Sequence, residues 1–155
     1  MQPRLVVFTD LDGTLLDHHS YSWRAALPAM ERLAANGIPL VLNSSKTAAE
    51  MRVLQRAMGL RAPFIAENGA AVVIPAGCLN NPHDEVVHFG VPHNELMRTL
   101  LVQREAGARF RGFSDLSARD LAQLTGLKEG EAARAKQRLA TEPLLWDGTD
   151  AELGQ

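Results

Sequence analysis

The chain has 155 residues, of which 46% are hydrophobic and 22% charged, and its formal net charge at pH 7 is −2. This apolar fraction excludes a disordered chain, and the charge balance lacks the basic excess that nucleic acid or an anionic membrane attracts. No apolar run approaches the roughly 20 residues of a membrane span, and the first residues meet a charge too early for a signal peptide. A single cysteine, Cys78, excludes an internal disulfide. The sequence therefore predicts a cytoplasmic protein of one domain, or one and a fraction, with no nucleic-acid or membrane partner.

The first half of the chain alternates predicted strands and helices. Continuous apolar runs are typical of strands buried on both faces, and helix starts and stops are marked by Pro28, the Thr47–Glu50 capping pattern and glycines. The predicted elements are a strand at residues 4–9, a helix at 26–36, a strand at 38–42, a helix at 47–58, and strands at 64–66 and 70–74. This order and spacing indicate a doubly wound α/β unit built on a parallel sheet.

The composition changes near Pro75, where proline, glycine, histidine and asparagine become frequent. A domain boundary between about Pro75 and Asp84 divides the chain into residues 1–80 and 81–155. The second part is predicted to contain a strand at 86–89, a helix at 94–105, a strand at 109–113, a helix capped by Ser117 and Asp120, a helix at 129–140 and a strand at 144–146.

The strongest functional signal is the string Asp10-Leu11-Asp12-Gly13-Thr14, directly after the first strand. In an open α/β sheet, ligands bind beyond the carboxyl ends of the strands. Alternation along an extended segment points Asp10 and Asp12 the same way and Leu11 into the fold. Gly13 permits a tight turn that brings backbone amides close to an anion, and two adjacent carboxylates favour a hard cation such as Mg²⁺. The alternative is a solvated turn, because Asp-Gly is common in turns.

This string resembles the first motif of the haloacid dehalogenase superfamily, whose phosphatases use an aspartate nucleophile. The resemblance implies a Rossmann-like parallel sheet as a partial core, and an inserted α+β cap that residues 81–155 would form incompletely. Asp10 would attack the phosphoryl group, and Asp12 would protonate the leaving oxygen and then activate water. Asp10, through its carboxylate, and Asp12, through its backbone carbonyl, would hold Mg²⁺. Gly13 and Thr14 would line the phosphate.

Two further strings match positions that follow neighbouring strands. Ser44, in Asn-Ser-Ser-Lys-Thr at residues 43–47, matches the Ser or Thr of the superfamily's second motif, and its hydroxyl would donate to a phosphoryl oxygen. The helix start that follows would add free amides. Asn68, in a Glu-Asn-Gly turn after the third strand, is predicted to line the edge of the site, with a purely structural turn as the alternative.

Four short sequence strings allow a narrower resemblance within this superfamily; they lie at residues 43–50, 66–70, 112–115 and 141–143. Together they resemble the mannosyl-3-phosphoglycerate phosphatase branch, which implies a phosphorylated sugar or glycosyl-glycerate substrate. Arg138, Thr141 and Glu142 match the stretch with which such a cap grips the glycosyl-glycerate part. The alternatives are an ordinary helix end before a Pro-initiated strand, and a different substrate such as glucosyl-3-phosphoglycerate.

Two motifs of the superfamily are absent from the 155 residues: a lysine beyond the cap and a Gly-Asp-x-x-Asn-Asp-like sequence. Their absence predicts a C-terminally shortened form without the third metal ligand and the phosphate-binding lysine. It also predicts that residues 5–8 form an uncovered apolar edge strand through which the chain self-associates. Two hypotheses stay open: a Mg²⁺-dependent phosphomonoesterase, and a fragment that binds Mg²⁺ or anions with little or no turnover.

Overall fold

A computed structural model describes residues 5–149 and Glu152 of the chain. Its main feature is a five-stranded mixed sheet with the strands in sequential order. The strands are β1 (Val7–Thr9), β2 (Leu40–Asn43), β3 (Phe64–Ala66), β4 (Ala71–Ile74) and β5 (Glu85–His88). The first three are parallel, as predicted, whereas β4 and β5 are each antiparallel to the strand before. The predicted α/β class is confirmed, and the parallel part of the sheet is confined to β1–β3. Residue 4 of the first predicted strand lies outside the described residues.

Two helices connect the parallel strands. Helix α1 (Leu27–Ala35) follows β1 and helix α2 (Ala48–Ala57) follows β2, close to the predicted bounds. The Thr47 hydroxyl accepts from the amide of Glu50, and the Glu50 carboxylate accepts from the amide of Thr47. This confirms the predicted capping box, and an N-cap of this kind stabilises a helix by about 1 kcal/mol.

The main hydrophobic core joins the sheet to both helices. Met30 of α1 and Met51 of α2 belong to one cluster with Leu42 of β2 and Phe64 of β3. Leu11, in the turn after β1, is fully buried in the same cluster. Burying a side chain of this size stabilises a fold by about 1.5–3 kcal/mol. The turn that follows β1 is therefore anchored in the core.

The second half of the chain forms a smaller, two-stranded antiparallel sheet with helices beside it. Its elements are α3 (His93–Glu105), β6 (Phe110–Gly112), α4 (Ala118–Thr125), α5 (Glu129–Ala135) and β7 (Leu144–Trp146). Strands β6 and β7 pair with each other, and Leu121 of α4 packs against Ala132 and Ala135 of α5. Ser117 caps α4 as predicted, by accepting from the amide of Asp120. Within the described ranges, no helix combines the length and apolarity that crossing a membrane requires.

Helix α5 ends at Ala135, whereas the sequence predicted a helix as far as residue 140. The amides of Leu139 and Ala140 donate to the carboxylate of Glu67, at the main sheet, at 2.7 and 3.0 Å. A continued helix would direct these amides to carbonyls of its own preceding turn. Hydrogen bonds from a distant element therefore override the local helix propensity.

The sheets do not follow the predicted domain boundary in every detail. Strand β5 belongs to the main sheet, although its residues lie beyond residue 80. The division into residues 1–80 and 81–155 stays a prediction.

Strand β1 lies at one edge of the main sheet and is paired, among the described strands, with β2 alone. Leu5, Val6 and Phe8 are large apolar residues on or beside this edge, and Phe8 is 63% exposed. An edge strand of this kind presents unpaired backbone groups to other chains. The uncovered edge therefore agrees with the prediction, whereas self-association itself stays a prediction.

Candidate functional site

The candidate site lies at the carboxyl ends of β1, β2 and β3. These strands are parallel, with Thr9 opposite Leu42 and Asn43 opposite Ile65, so their carboxyl ends share one edge of the sheet. The residues that come next are the aspartate turn after β1, Ser44 after β2 and the Glu-Asn-Gly turn after β3. The sheet therefore brings three of the predicted motifs to one edge.

The aspartate turn has the predicted alternation. Asp10 and Asp12 are exposed, whereas Leu11 between them is fully buried. The buried leucine fixes the orientation of the segment, because turning the two aspartates inward would expose Leu11 and bury two carboxylates.

A tight turn follows the aspartates. Gly13 has φ +75°, a left-handed conformation that suits glycine. Its amide donates to the Leu16 carbonyl at 3.0 Å, and the amide of Thr14 donates to the Leu11 carbonyl at 3.1 Å. Both amides are therefore bonded within the turn, and an anion bound by Gly13 or Thr14 has to compete with these bonds.

Asp17 closes the loop after this turn. Its carboxylate accepts from the Ser20 hydroxyl at 2.7 Å and from the amides of Ser20 and His19. These hydrogen bonds, the Ser20 hydroxyl first, hold the pKa of Asp17 below its usual value of 3.8. Asp17 therefore acts as a loop anchor beside the site.

Ser44 is buried at the end of β2, directly before α2. Its amide donates to the Ile65 carbonyl at 3.1 Å, and its hydroxyl oxygen accepts from the amide of Lys46 at 3.2 Å. Because the hydroxyl oxygen is an acceptor in that bond, its hydrogen can be donated to another group. The predicted role of Ser44 as a donor to a phosphoryl oxygen is compatible with this geometry.

Lys46 forms an ion pair with Asp12, which the sequence reasoning missed. Its ammonium nitrogen lies 2.6 Å from Asp12 Oδ2 and 2.9 Å from Asp12 Oδ1. The two residues are 34 positions apart, and they meet because β1 and β2 are adjacent. The position of Lys46 two residues after Ser44 was the available signal, since a residue there lies at the same sheet edge. The pair brings a cation to the aspartate turn.

The Glu-Asn-Gly turn after β3 has an uncommon backbone conformation. Glu67 and Asn68 have φ +53° and +56°. Such conformations cost on the order of 1–3 kcal/mol for a non-glycine residue and persist where neighbouring contacts hold them. The contacts here are hydrogen bonds to the loop after β2: the amide of Glu67 donates to the Lys46 carbonyl, and that of Asn68 to the Ser44 carbonyl, each at 3.0 Å. The turn therefore lies against the loop that carries Ser44.

Glu67 is the second residue that the sequence reasoning missed. Its side chain is 1% exposed, and its carboxylate accepts from the amides of Leu139 and Ala140 and, at 2.6 Å, from the hydroxyl of Thr141. A buried carboxylate is costly unless it is hydrogen-bonded, and three donors meet this one. Glu67 thereby joins the main sheet to the segment after α5.

Arg138 and Thr141, two of the predicted cap residues, come close to the candidate site. The Arg138 guanidinium donates to the Ser45 carbonyl at 2.9 Å and to the Thr141 hydroxyl at 3.3 Å, and lies 5.8 Å from the ring centre of Phe113. Thr141 in turn donates to Glu67. The structure therefore brings Arg138 and Thr141 to the loop after β2.

Glu142, the third predicted cap residue, faces another part of the second half. Its side chain is fully buried, accepts from the amide of Ser114 at 2.7 Å and lies 2.8 Å from His93 Nε2. Gly112 passes so close to this carboxylate that a Cβ at that position would clash with it. Glu142 therefore joins α3 to the segment after β6, and it is not brought together with Arg138 and Thr141 at the sheet edge.

A cleft of about 410 Å³ lies beside the candidate site, between α2 with the loop before it and the segment that runs from the end of α4 into α5. Lys46 and Glu50 line it from one side, and Gly126, Leu127 and Arg134 from the other. It therefore combines both signs of charge with apolar surface.

The aspartate turn offers the oxygen donors that a hard cation prefers. Carboxylate and main-chain carbonyl oxygens suit Mg²⁺, which keeps several water ligands. Within residues 5–149 and Glu152, no group of three or more His, Cys, Asp or Glu side chains is placed to hold a metal ion. The donor chemistry at Asp10 and Asp12 therefore fits Mg²⁺, with a small set of protein ligands.

The fold and the site define an α/β protein with a pair of exposed aspartates at the carboxyl edge of its parallel strands. The family model of haloacid dehalogenase-like hydrolases matches residues 7–96. This chain belongs to that family. The match includes β1 to β5 and the aspartate turn, so the predicted superfamily and its fold are confirmed.

A curated relative extends the similarity over most of the chain. The glucosyl-3-phosphoglycerate/mannosyl-3-phosphoglycerate phosphatase of Persephonella marina is 38% identical over 148 residues, which cover 91% of this chain and 55% of the relative. The chain therefore spans about half the length of this relative.

Solved structures show the same fold at low sequence identity. A Geobacillus kaustophilus protein matches with a TM-score of 0.64 at 17% identity, covering 98% of this chain and 61% of its own. A phosphatase of the haloalkanoate superfamily from Bacteroides thetaiotaomicron matches with a TM-score of 0.61 at 17% identity, covering 99% and 62%. The shared fold extends through both halves of the chain.

Proposed function

We propose that this chain carries the nucleophile and phosphoryl-binding residues of a Mg²⁺-dependent sugar-phosphate phosphatase. The observation that supports this most is the meeting of Asp10, Asp12 and Ser44 at the carboxyl edge of three parallel strands. In open α/β sheets, this edge is where ligands bind. Membership of a hydrolase family and the name of the curated relative add to the same interpretation.

The chemistry assigns different roles to the two aspartates. In the first step a carboxylate oxygen of Asp10 forms a bond to phosphorus while the bond to the leaving oxygen breaks, and Asp12 gives a proton to that oxygen. In the second step the oxygen of a water molecule forms a bond to phosphorus while the bond between phosphorus and Asp10 breaks, and Asp12 takes the proton of that water. Inorganic phosphate leaves and both carboxylates return to their first state.

Two groups on the loop after β2 would support the phosphoryl group. Ser44 can donate its hydroxyl hydrogen, and the Lys46 ammonium supplies positive charge near the aspartate turn. Gly13 and Thr14 are proposed to line the phosphate from the turn itself. Preorganised donors and charges of this kind act where negative charge develops in the transition state.

The carboxylate of Asp10 and the backbone carbonyl of Asp12 would hold Mg²⁺. When bound, the ion would offset negative charge between Asp10 and the phosphoryl oxygens. The carboxylate of Asp12 is directed to Lys46 instead, and Asp12 can serve as the acid of the first step only in its protonated form, with that ion pair open.

The substrate that we propose is mannosyl-3-phosphoglycerate, with glucosyl-3-phosphoglycerate or another sugar phosphate as close variants. The support is the name of the relative that is 38% identical to this chain. Asn68, Arg138 and Thr141 are proposed to contact the glycosyl-glycerate part, whereas the predicted contact from Glu142 would first require its buried carboxylate to leave His93 and Ser114. Arg138 and Thr141 have the better support, because both lie near the loop that carries Ser44.

A second candidate is a chain that binds Mg²⁺ and anions at this edge with little or no turnover. The observation that favours it is the small donor set: across the described residues, the two aspartates have no third His, Cys, Asp or Glu in a metal-binding group. The cytoplasmic location and the partners predicted from the sequence stay predictions under either candidate.

The test is phosphate release from mannosyl-3-phosphoglycerate and from glucosyl-3-phosphoglycerate, each with and without Mg²⁺. We expect release that needs Mg²⁺ and falls by a factor of about 10³ or more in Asp10→Asn, because the nucleophile is lost. Glu31→Gln, an exposed change on α1, is the matched control and keeps the wild-type rate. Mg²⁺-dependent phosphate binding without release supports the second candidate. Release that persists in Asp10→Asn contradicts the proposed mechanism.

A further inference from the structure

Glu67 is a buried acid that the proposed mechanism does not use, and it connects two parts of the chain. It follows β3 directly, where Asn68 rather than Glu67 was predicted to line the site. Its backbone and its side chain face different partners. This arrangement suggests a role in placing other residues rather than in the chemistry.

The backbone of the Glu67 turn holds the loop after β2. The amide of Glu67 donates to the Lys46 carbonyl and that of Asn68 to the Ser44 carbonyl. Both loop residues belong to the proposed phosphoryl-binding group. A shift of the turn would therefore move the Ser44 hydroxyl and the Lys46 ammonium together.

The side chain of Glu67 holds the segment after α5. Its two carboxylate oxygens accept from Leu139, Ala140 and Thr141. Because the carboxylate is 1% exposed, water cannot replace these donors without opening the structure. Glu67 makes its backbone and side-chain contacts from a left-handed conformation, with φ +53°.

Arg138 closes the arrangement into a ring. Its guanidinium donates to the Ser45 carbonyl and to Thr141, and Thr141 donates to Glu67. The loop at residues 44–46 is thus held twice, from Glu67 on one side and from Arg138 on the other. Thr141 links the two attachments, because its hydroxyl accepts from Arg138 and donates to Glu67.

We infer that Glu67 is a positioning residue that couples the segment at residues 138–141 to the loop at residues 44–46, and thereby places Ser44 and Lys46 for phosphoryl binding. The coupling itself depends only on the hydrogen bonds of this chain, whereas its effect on catalysis rests on the proposed function.

Hydrogen exchange of Glu67→Gln tests the coupling without using activity. The glutamine keeps the shape but places an NH₂ group against a donor, so the amides of Leu139 and Ala140 lose a charged acceptor. We expect their exchange to become about 10- to 100-fold faster, as for the loss of a hydrogen bond to a charged group. If the coupling is real, the amides of Lys46 and Asn68 exchange at least about threefold faster as well.

Glu142→Gln is the matched control for exchange. It alters another buried carboxylate of the same segment, which contacts His93 and Ser114 rather than residues 44–46. We expect faster exchange at Ser114 with Lys46 unchanged. The inference is overturned if Glu67→Gln speeds amide exchange at Leu139 but not at Lys46. It is also overturned if Glu142→Gln speeds amide exchange at Lys46 as much as Glu67→Gln does.

Thr141→Val covers the case in which Glu67→Gln does not fold. It removes the hydroxyl shared by Glu67 and Arg138 and leaves the carboxylate bonded to two amides. We expect the amide of Lys46 to exchange faster in this variant too, by a smaller factor than in Glu67→Gln. An unchanged exchange rate at Lys46 would contradict the coupling.

Kinetics with para-nitrophenyl phosphate and Mg²⁺ supply the catalytic readout. A displaced loop should lower kcat of Glu67→Gln about tenfold or more, with KM within about threefold, because misplaced groups cost rate rather than simple binding. Glu31→Gln keeps both constants. A changed KM with an unchanged kcat contradicts the positioning role. If the wild-type chain turns over neither para-nitrophenyl phosphate nor the two glycosyl-3-phosphoglycerates, the proposed function fails, whereas the exchange result still decides whether Glu67 couples the two segments.

Discussion

A phosphoryl group bound at the sheet edge has to compete with Asp12 for Lys46. The ammonium of Lys46 lies 2.6 and 2.9 Å from the two carboxylate oxygens of Asp12. Asp12→Asn removes the competing negative charge. We therefore expect this variant to bind inorganic phosphate more tightly than the wild-type chain, and we expect the gain to shrink when Lys46→Met is introduced as well.

The size of the effect follows from the exposure of the pair. The side chains of Lys46 and Asp12 are 22% and 40% exposed, so solvent screens their attraction. Pairs of this kind contribute about 0.5–1 kcal/mol, which corresponds to roughly a two- to fivefold change in affinity. The repulsion between Asp12 and phosphate is present with either residue at position 46, so it cancels in the comparison. The expected non-additivity is therefore about two- to fivefold.

The assay is calorimetric titration of inorganic phosphate into the wild type, both single variants and the double variant, with and without Mg²⁺. Lys128→Met, a change of another exposed lysine, is the matched control for the loss of one positive charge. The non-additivity should shrink in about 1 M salt, where the Debye length falls to about 3 Å and the attraction between solvent-exposed charges is weakened. If Asp12→Asn raises the affinity for phosphate by the same factor with and without Lys46→Met, the competition is refuted.

Three further outcomes follow from other contacts. Leu11→Ala should lower the free energy of unfolding by about 2–5 kcal/mol in urea titrations, because it leaves a cavity under the aspartate turn; a smaller change would mean that the turn is not anchored in the core. A hydrogen bond from Arg104 holds the pKa of Asp115 below its usual 3.8, so this contact stabilises the fold fully above about pH 4 and is lost as the pH falls through the lowered pKa. Arg104→Met should therefore flatten the loss of stability below about pH 4 in acid unfolding curves, and an unchanged slope would contradict that role. Phe8→Lys, on the exposed β1 edge, should lower the sedimentation coefficient if the chain self-associates there; an unaltered associated species would place the contact elsewhere.

The aspartate turn was predictable because its information is local. An apolar strand, the alternation around Leu11 and the glycine at the turn lie within a few residues of one another. The same holds for the capping box of α2, where Thr47 and Glu50 are three positions apart. Contacts of this range depend on backbone geometry that the sequence pattern specifies directly.

The end of α5 was not predictable in this way. Residues 136–140 have no strong helix breaker, so local propensity extends the helix through them. The chain instead turns away because two of its amides meet the Glu67 carboxylate, 72 and 73 positions earlier. A charged acceptor that is itself shielded from water outweighs the small propensity difference of a few residues.

The same reasoning explains why Lys46 and Glu67 were missed although their neighbours were found. Motif matching selects residues whose chemistry is evident in isolation, such as Asp10 or Ser44. Lys46 and Glu67 acquire their roles from pairing with Asp12 and with Thr141, which are 34 and 74 positions away. Their pairing follows from strand order and from the course of the chain after α5. The residues that carry the proposed chemistry can thus be identified from local motifs, whereas their placement depends on long-range contacts. Variants of Lys46 and Glu67 test the placement separately from the chemistry.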